Sequence, residues 1–185
     1  MTQSERREWL IKALLNEPDS PLEYRKTELP PQDDKAAQKD LLRSLMNVRP
    51  PRPVSDEFLK IQDEYLTERN KERGIIDVAT LKNVPANKRI FLWQGDITTL
   101  NADAIVNAAN SALLGCFAPL HACIDNCIHT FAGVQLRLEC NEIMQKQGSP
   151  EKNWKRENHS GVQSALKIRS AHGRSDNPHQ CNRTR

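Results

Sequence analysis

Within one short stretch the chain sets two thiols and an imidazole, Cys116, His121 and Cys123, in the run Cys116-Phe117-Ala118-Pro119-Leu120-His121-Ala122-Cys123. Two soft thiolates and one imidazole satisfy three corners of a tetrahedral zinc site and leave the fourth for water or ligand. The spacing is not that of a zinc finger. Taken alone it favours buried thiols slightly over a metal, so both readings stand open on the residues. Just past this run, Ile124-Asp125-Asn126-Cys127-Ile128-His129 supplies a carboxylate. Two upstream motifs add polar groups. Gln94-Gly95-Asp96-Ile97-Thr98 places an acid where it can accept from an exocyclic amine. Ile105-Val106-Asn107-Ala108-Ala109-Asn110 sets amides beside small side chains that a ligand can approach closely. Each is common turn chemistry by itself. Together they lie at two successive strand ends, which share one rim.

The elements that must position these residues are short. Residues 90–94 and 104–107 read as strands, with a turn-prone stretch at 95–103, and 119–131 and 134–147 read as helices. Strand, loop, strand, loop, helix opens an α/β domain, in which ligands sit at the carboxyl ends of strands. The first half reads as helices broken by prolines. Ser4 is placed to cap one that carries Leu10, Ile11, Leu14 and Leu15. A second covers residues 35–48 and stops at Pro50, Pro51 and Pro53. Ser55 is placed to cap a third, bearing Phe58, Ile61 and Tyr65, with Gly74 beyond its end. This reading makes residues 1–80 an accessory helical extension without catalytic residues, followed by 81–152 as the α/β part and 153–185 as a polar tail.

Composition narrows the classes. Of 185 residues 37% are hydrophobic, the net charge is +3, and the mean hydropathy is −0.70. The apolar residues concentrate before residue 153, so a core can form in the middle of the chain and hardly at its end. No basic stripe interleaved with aromatics points to nucleic acid. No run approaches a membrane span, and the charged first 20 residues lack a signal-peptide core, which points to the cytoplasm. Four of the five cysteines cluster from Cys116 to Cys140, with Cys181 apart. In a reducing compartment that pattern implies metal binding or burial before disulfides.

Taken in order, GDIT, IVNAAN, the Cys116–Cys123 run, IDN-C-IH and Ala132-Gly133 resemble the zinc-containing branch of the macrodomain family, whose members are ADP-ribose-binding hydrolases. The helical stretch around residues 41–51 and 58–64 is similar to that branch's extension, and the likeness spans roughly residues 5–152. The resemblance implies the first part of a three-layer α/β/α fold and removal of ADP-ribose from modified proteins. It implies that Asp96 binds the adenine amine beside the Ile97 backbone, and that Asn110 contacts the ribose next to the scissile bond. One Zn2+ would be held at that ribose by Cys116, His121 and Cys123. Ile124, Asp125 and Asn126 would line the same loop, with Asp125 orienting or activating a water. Cys127, His129 and Cys140 read as structural. For some relatives a sirtuin-like ADP-ribosyltransferase is the implied partner.

After Gly148 the resemblance stops. The family should continue with strands and a second glycine-rich loop that grips pyrophosphate. Residues 153–185 instead read as a disordered polar tail. Codons compatible with residues 153–175, read one nucleotide out of frame, can encode TGKGKITPAYNLPSKYVLHTVGP, which resembles the missing continuation. An adenine-rich stretch at Glu151-Lys152-Asn153 is a natural place for one base to be gained, so a frameshift near Lys152 is expected. Three functional classes follow: a zinc-dependent hydrolase, an ADP-ribose reader without turnover, and an inactive frameshifted product.

Overall fold

The computed structural model describes residues 1–102 and 104–151, together with the backbone of residues 164–166. The remainder of the expected tail, including Cys181, lies outside the described residues. Helix α1 (Gln3–Leu15) is capped two residues before the expected position. Thr2 is the N-cap, and it closes a capping box with Glu5, while the Ser4 hydroxyl accepts from Arg7. A short α2 (Leu22–Arg25) follows. Helix α3 (Lys35–Val48) takes its expected bounds and is capped by Asp34. It stops because Arg49 precedes Pro50, which disfavours helical backbone, and Arg49 is extended at φ −63 and ψ 125. Helix α4 (Asp56–Arg73) is capped by Ser55 and ends at Gly74, φ 84, as the sequence indicates.

Strands β1 (Ile76–Asp77), β2 (Asn83–Val84), β3 (Asn87–Phe91), β4 (Leu100–Asn101), β5 (Ile105–Asn107) and β6 (Ser164–Leu166) alternate with two 3-10 turns, Val78–Thr80 and Ile97–Thr99. Helices α5 (Ile124–Ala132) and α6 (Val134–Gln147) complete an α/β arrangement. The strands form three two-stranded ladders: β1 parallel to β4, β2 antiparallel to β3, and β5 antiparallel to β6. The strand expected over 90–94 sits earlier, at Asn87–Phe91, because its partner β2 reaches only as far as the Asn83–Phe91 pair. Ile90, Phe91, Leu92 and Val106 are exposed, at 53%, 47%, 84% and 54%. These are strand-type side chains with nothing packed over them among the described residues.

Two cores result. Leu10, Ile11 and Leu14 of α1 interlock with Leu42 and Leu45 of α3, Phe58, Ile61 and Tyr65 of α4, and Val134 of α6. Cutting a leucine as buried as Leu42 back to alanine costs about 2–5 kcal/mol. The second core joins Ala109 and Leu113 to Ile128 of α5 and to Leu136 and Cys140 of α6. A polar clamp couples the two. Buried Gln62 of α4 accepts from Val134 N at 2.9 Å and donates to Gln135, which in turn donates to Asp63 at 2.7 Å. The helical extension is thereby fastened to the junction between α5 and α6.

Candidate metal centre

The chain leaves β5 at Asn107 and turns at Asn110. Asn110 Oδ1 accepts from Ala112 N at 3.0 Å, and its Nδ2 donates to the Gly115 carbonyl at 3.0 Å. This double clasp fixes the residue that precedes Cys116. Gly115 has φ +79, and a Cβ there would lie 2.7 Å from the His129 ring, so both backbone and space demand glycine. Leu113 and Leu120 also adopt positive φ, 57 and 56. Such backbone persists only where its surroundings hold it.

They do hold it. Leu120 N donates to Asn47 Oδ1 at 3.1 Å, and Asn47 Nδ2 donates to Thr130 at 3.0 Å. Arg43 Nη2 donates to the His121 carbonyl at 2.9 Å and to Asn126 Oδ1 at 2.9 Å. Asn126, fully buried, donates to the carbonyls of Cys116 at 3.2 Å and Ala118 at 2.9 Å. Buried Arg137 donates to Leu114 O at 2.7 Å and to the carbonyls of Met46, Asn47 and Arg49 at the end of α3. Its guanidinium lies 4.2 Å over the Phe117 ring, and burial draws its pKa down to about 10.

Held in this way, the sulfurs of Cys116 and Cys123 and a ring nitrogen of His121 lie within 4.8 Å of one another. A thiolate and an imidazole on one tetrahedral zinc, at about 2.3 and 2.0–2.1 Å from it, sit roughly 3.6 Å apart. Cys116 Sγ and His121 Nδ1 are 3.6 Å apart. Cys116, Cys123 and Cys127 are free thiols. Cys116 and Cys123 are half-buried and His121 is exposed, so simple burial does not describe the three. The donor set fits a metal with access from solvent. Cys123 caps α5, its sulfur accepting from Asn126 N at 3.4 Å. The sequence had the helix begin near 119, but the left-handed Leu120 delays it to Ile124. Burial raises the Cys123 pKa, opposed by that N–H, and a coordinated thiol loses its proton outright.

Asp125 lies beneath the loop, 5% exposed, and accepts from Asn107 Nδ2 at 2.7 Å. Burial pushes its carboxyl pKa up, against the pull of Asn107 and Arg137. His129 Nε2 is 3.7 Å from Asp125 Oδ1. Burial pushes His129 down to about 3, so at neutral pH the imidazole is uncharged and the contact is not an ion pair. Neither of its ring nitrogens has a hydrogen-bond partner among the described residues.

Asp96 and Ile97 make their contacts elsewhere, at the end of α4. Asp96 Oδ1 accepts from Thr98 N at 2.9 Å and Thr98 Oγ1 at 2.6 Å, and Oδ2 pairs with Arg73. Burial raises the Asp96 pKa, but Thr98 and Arg73 outweigh it and hold the acid below the usual range. Arg73 also lies 3.5 Å over the Phe131 ring. Ile97 lines an open depression of about 410 Å3, with its solvent mouth included, beside Thr98, Leu100, Ile105, Ile128 and Phe131.

The structure therefore brings Asn110, Cys116, His121, Cys123 and Asn126 into one contact network, and sets Asp125 next to it through α5. Reading the motifs missed Arg43, Asn47 and Arg137, and passed over Asn107 as a partner for Asp125. Arg43 and Asn47 are four apart and so share a face of α3. That spacing is ordinary on any solvated helix, and it was the only signal.

Residues 106–167 match the Macro domain family, a span that runs past residue 152. The chain is 58% identical over 153 residues to a "Protein-ADP-ribose hydrolase" of Treponema medium, covering 82% of this chain and 57% of that protein. It is 55% identical over 112 residues to a "Protein-ADP-ribose hydrolase" of Staphylococcus aureus (strain COL), covering 60% of this chain and 41% of the relative. A "Probable bifunctional ADP-ribose hydrolase/ADP-ribosyltransferase" of Fusarium oxysporum f. sp. cubense is 43% identical over 122 residues, covering 61% of this chain and 20% of its own length. The chain thus spans between a fifth and three fifths of the curated relatives it matches.

Proposed function

We propose that this chain carries the zinc and ribose half of a hydrolase that removes ADP-ribose from proteins. The observation that carries the reading is the convergence of Cys116, His121 and Cys123 to within 4.8 Å, next to the Asn110 clasp. The names of the relatives from Treponema medium and Staphylococcus aureus support the activity. When bound, the ion would supply a Lewis acid able to lower the pKa of a bound water to about 7. Cleavage at the anomeric carbon needs such a water placed on line with the scissile bond.

This chain's own residues set the geometry. Asn110, whose amide reaches Gly115 O just before the ligand loop, contacts the ribose. Ile124 and the Asn126 backbone line the loop at the start of α5. Asp125 orients or activates the water, with its proton affinity raised by burial. Asp96 receives the adenine amine beside the Ile97 backbone, where the amine must share the carboxylate with Arg73 and Thr98. An ADP-ribosyltransferase is the partner class in keeping with the bifunctional Fusarium relative; a sirtuin-like one is proposed, as is action in the cytoplasm. No helix among the described residues is long and apolar enough to cross a membrane.

A second reading has its own observation. Ile90, Phe91, Leu92 and Val106, exposed among the described residues, are consistent with an incomplete sheet and favour an inactive product. A reader without turnover is the third class, and it needs no metal. One experiment separates the three. The purified chain is assayed for bound zinc by elemental analysis and for release of ADP-ribose from a modified protein, beside Cys116→Ser and Cys123→Ser. About one zinc per chain, with release lost in both variants, is expected of the hydrolase. ADP-ribose binding with neither zinc nor release would leave a reader, and neither binding nor zinc would leave the inactive product.

A further inference from the structure

Arg43 and Asn47 belong to α3, in the part of the chain that reads as accessory, yet both side chains reach the loop that bears His121. Asn47 is 1% exposed. Its Oδ1 takes the Leu120 amide at 3.1 Å at the residue whose φ of 56 most resists the loop's path. Arg43 takes the carbonyl of His121 itself at 2.9 Å. It also sets the orientation of Asn126. A guanidinium can only donate, so the Asn126 oxygen must face Arg43, at 2.9 Å. The Asn126 amide nitrogen must then face the other way, toward the Cys116 and Ala118 carbonyls at 3.2 and 2.9 Å. Through one side chain, Arg43 holds the backbone on both sides of the Cys116–His121 pair. No other residue of the first 80 donates to the loop directly among the described hydrogen bonds.

We infer that Arg43 and Asn47 are positioning residues of the metal centre, so that helix α3 sets metal affinity from outside the donor set. The inference rests on the zinc reading above. Outer-shell groups that orient ligands typically carry 10–100-fold in metal affinity. Here they orient the backbone that presents His121 and Cys116, so their loss should loosen the donor triangle without removing a donor.

The test uses the full chain, with zinc measured by competition against a chromophoric chelator and cobalt(II) as a spectroscopic stand-in. Arg43→Met and Asn47→Ala are compared with wild type and with Leu14→Ala, a cavity in the α1–α3–α4 core away from the loop. The expected result is roughly 10–100-fold weaker zinc binding in R43M and N47A, with a weakened or shifted cobalt d–d band. L14A should lower the melting temperature and change neither readout. Zinc affinity within twofold of wild type and an unaltered cobalt spectrum in R43M and N47A would overturn the inference. So would an equal loss in L14A, which would make the effect one of general stability. If R43M does not fold, Arg43→Gln takes its place: its shorter side chain ends before both acceptors of Arg43 Nη2, and wild-type affinity in R43Q refutes the role. Failure of wild type to bind zinc at all would instead remove the metal reading, a different outcome from unaltered variants of a zinc-binding wild type.

Discussion

Replacing His129 with leucine should flatten the acid side of the stability profile. His129 is buried, and its pKa is pushed down to about 3 from an ordinary value of 6.5. A depressed histidine pKa means that the unfolded chain binds the proton and the native chain does not. Stability from the neutral ring is therefore present above about pH 6.5 and is drained as pH falls toward 3. Deep in that window the slope is about 1.4 kcal/mol per pH unit. Rounding near the upper pKa leaves a loss of about 2 kcal/mol between pH 7 and pH 5. Leucine does not titrate, and whatever packing cost it brings is the same at every pH. Asp125 titrates with the opposite sign and contacts His129, so the same pair is also compared in an Asp125→Asn background, which removes its part from the difference. The assay is urea unfolding followed by far-UV circular dichroism at pH 7, 6 and 5, with a chelator present so that no metal-linked protons intrude. Wild type should lose about 2 kcal/mol more than H129L over that range. Parallel profiles, agreeing within about 0.5 kcal/mol, would show that His129 is hydrated or paired in the native state, and the burial argument would fail.

Asp125→Asn removes a carboxylate whose pKa is raised by burial, so it should stabilise the chain at pH 7, with the gain fading below about pH 4, where the acid is neutral in both states. The same variant should cut ADP-ribose release by about 100-fold or more; undiminished release would remove Asp125 from the chemistry. Gly115→Ala puts a Cβ 2.7 Å from the His129 ring at φ +79. It should cost about 1–3 kcal/mol in thermal unfolding and weaken zinc binding together, and an unchanged melting temperature would contradict the packing described here. The nucleotide sequence across codons 145–180, read independently, should show an adenine run one base shorter near Lys152. A confirmed frame would discard the frameshift and leave the tail as written.

The helices were legible because their signals lie within a few residues of one another. Ser55 caps α4, prolines stop α3, and Gly74 ends α4. The run of alternating motifs likewise placed β5 and the ligand loop, and the resemblance they carry named Cys116, His121 and Cys123 as a donor set that their spacing alone left open. Boundaries failed where a partner decided them. β3 shifted to Asn87–Phe91 because β2 is short, and α5 began late because Asn47, 73 residues away, takes the Leu120 amide.

By itself, then, the chain determined its helical first half, its change to α/β texture and the chemical kinds of donor available. Tertiary structure alone decided that Arg43 reaches His121 across 78 positions, that Arg137 ties Leu114 to the end of α3, and that Arg73 occupies Asp96. It also decided that His129 is sealed beside Asp125 with its charge suppressed. The physical reason is one of range. Capping, turn and periodicity signals are satisfied by neighbours that the chain itself holds in reach. A guanidinium or an amide gains its partner only after packing has carried two distant segments to within about 3 Å, and many sequences with the same local pattern would bring different partners there.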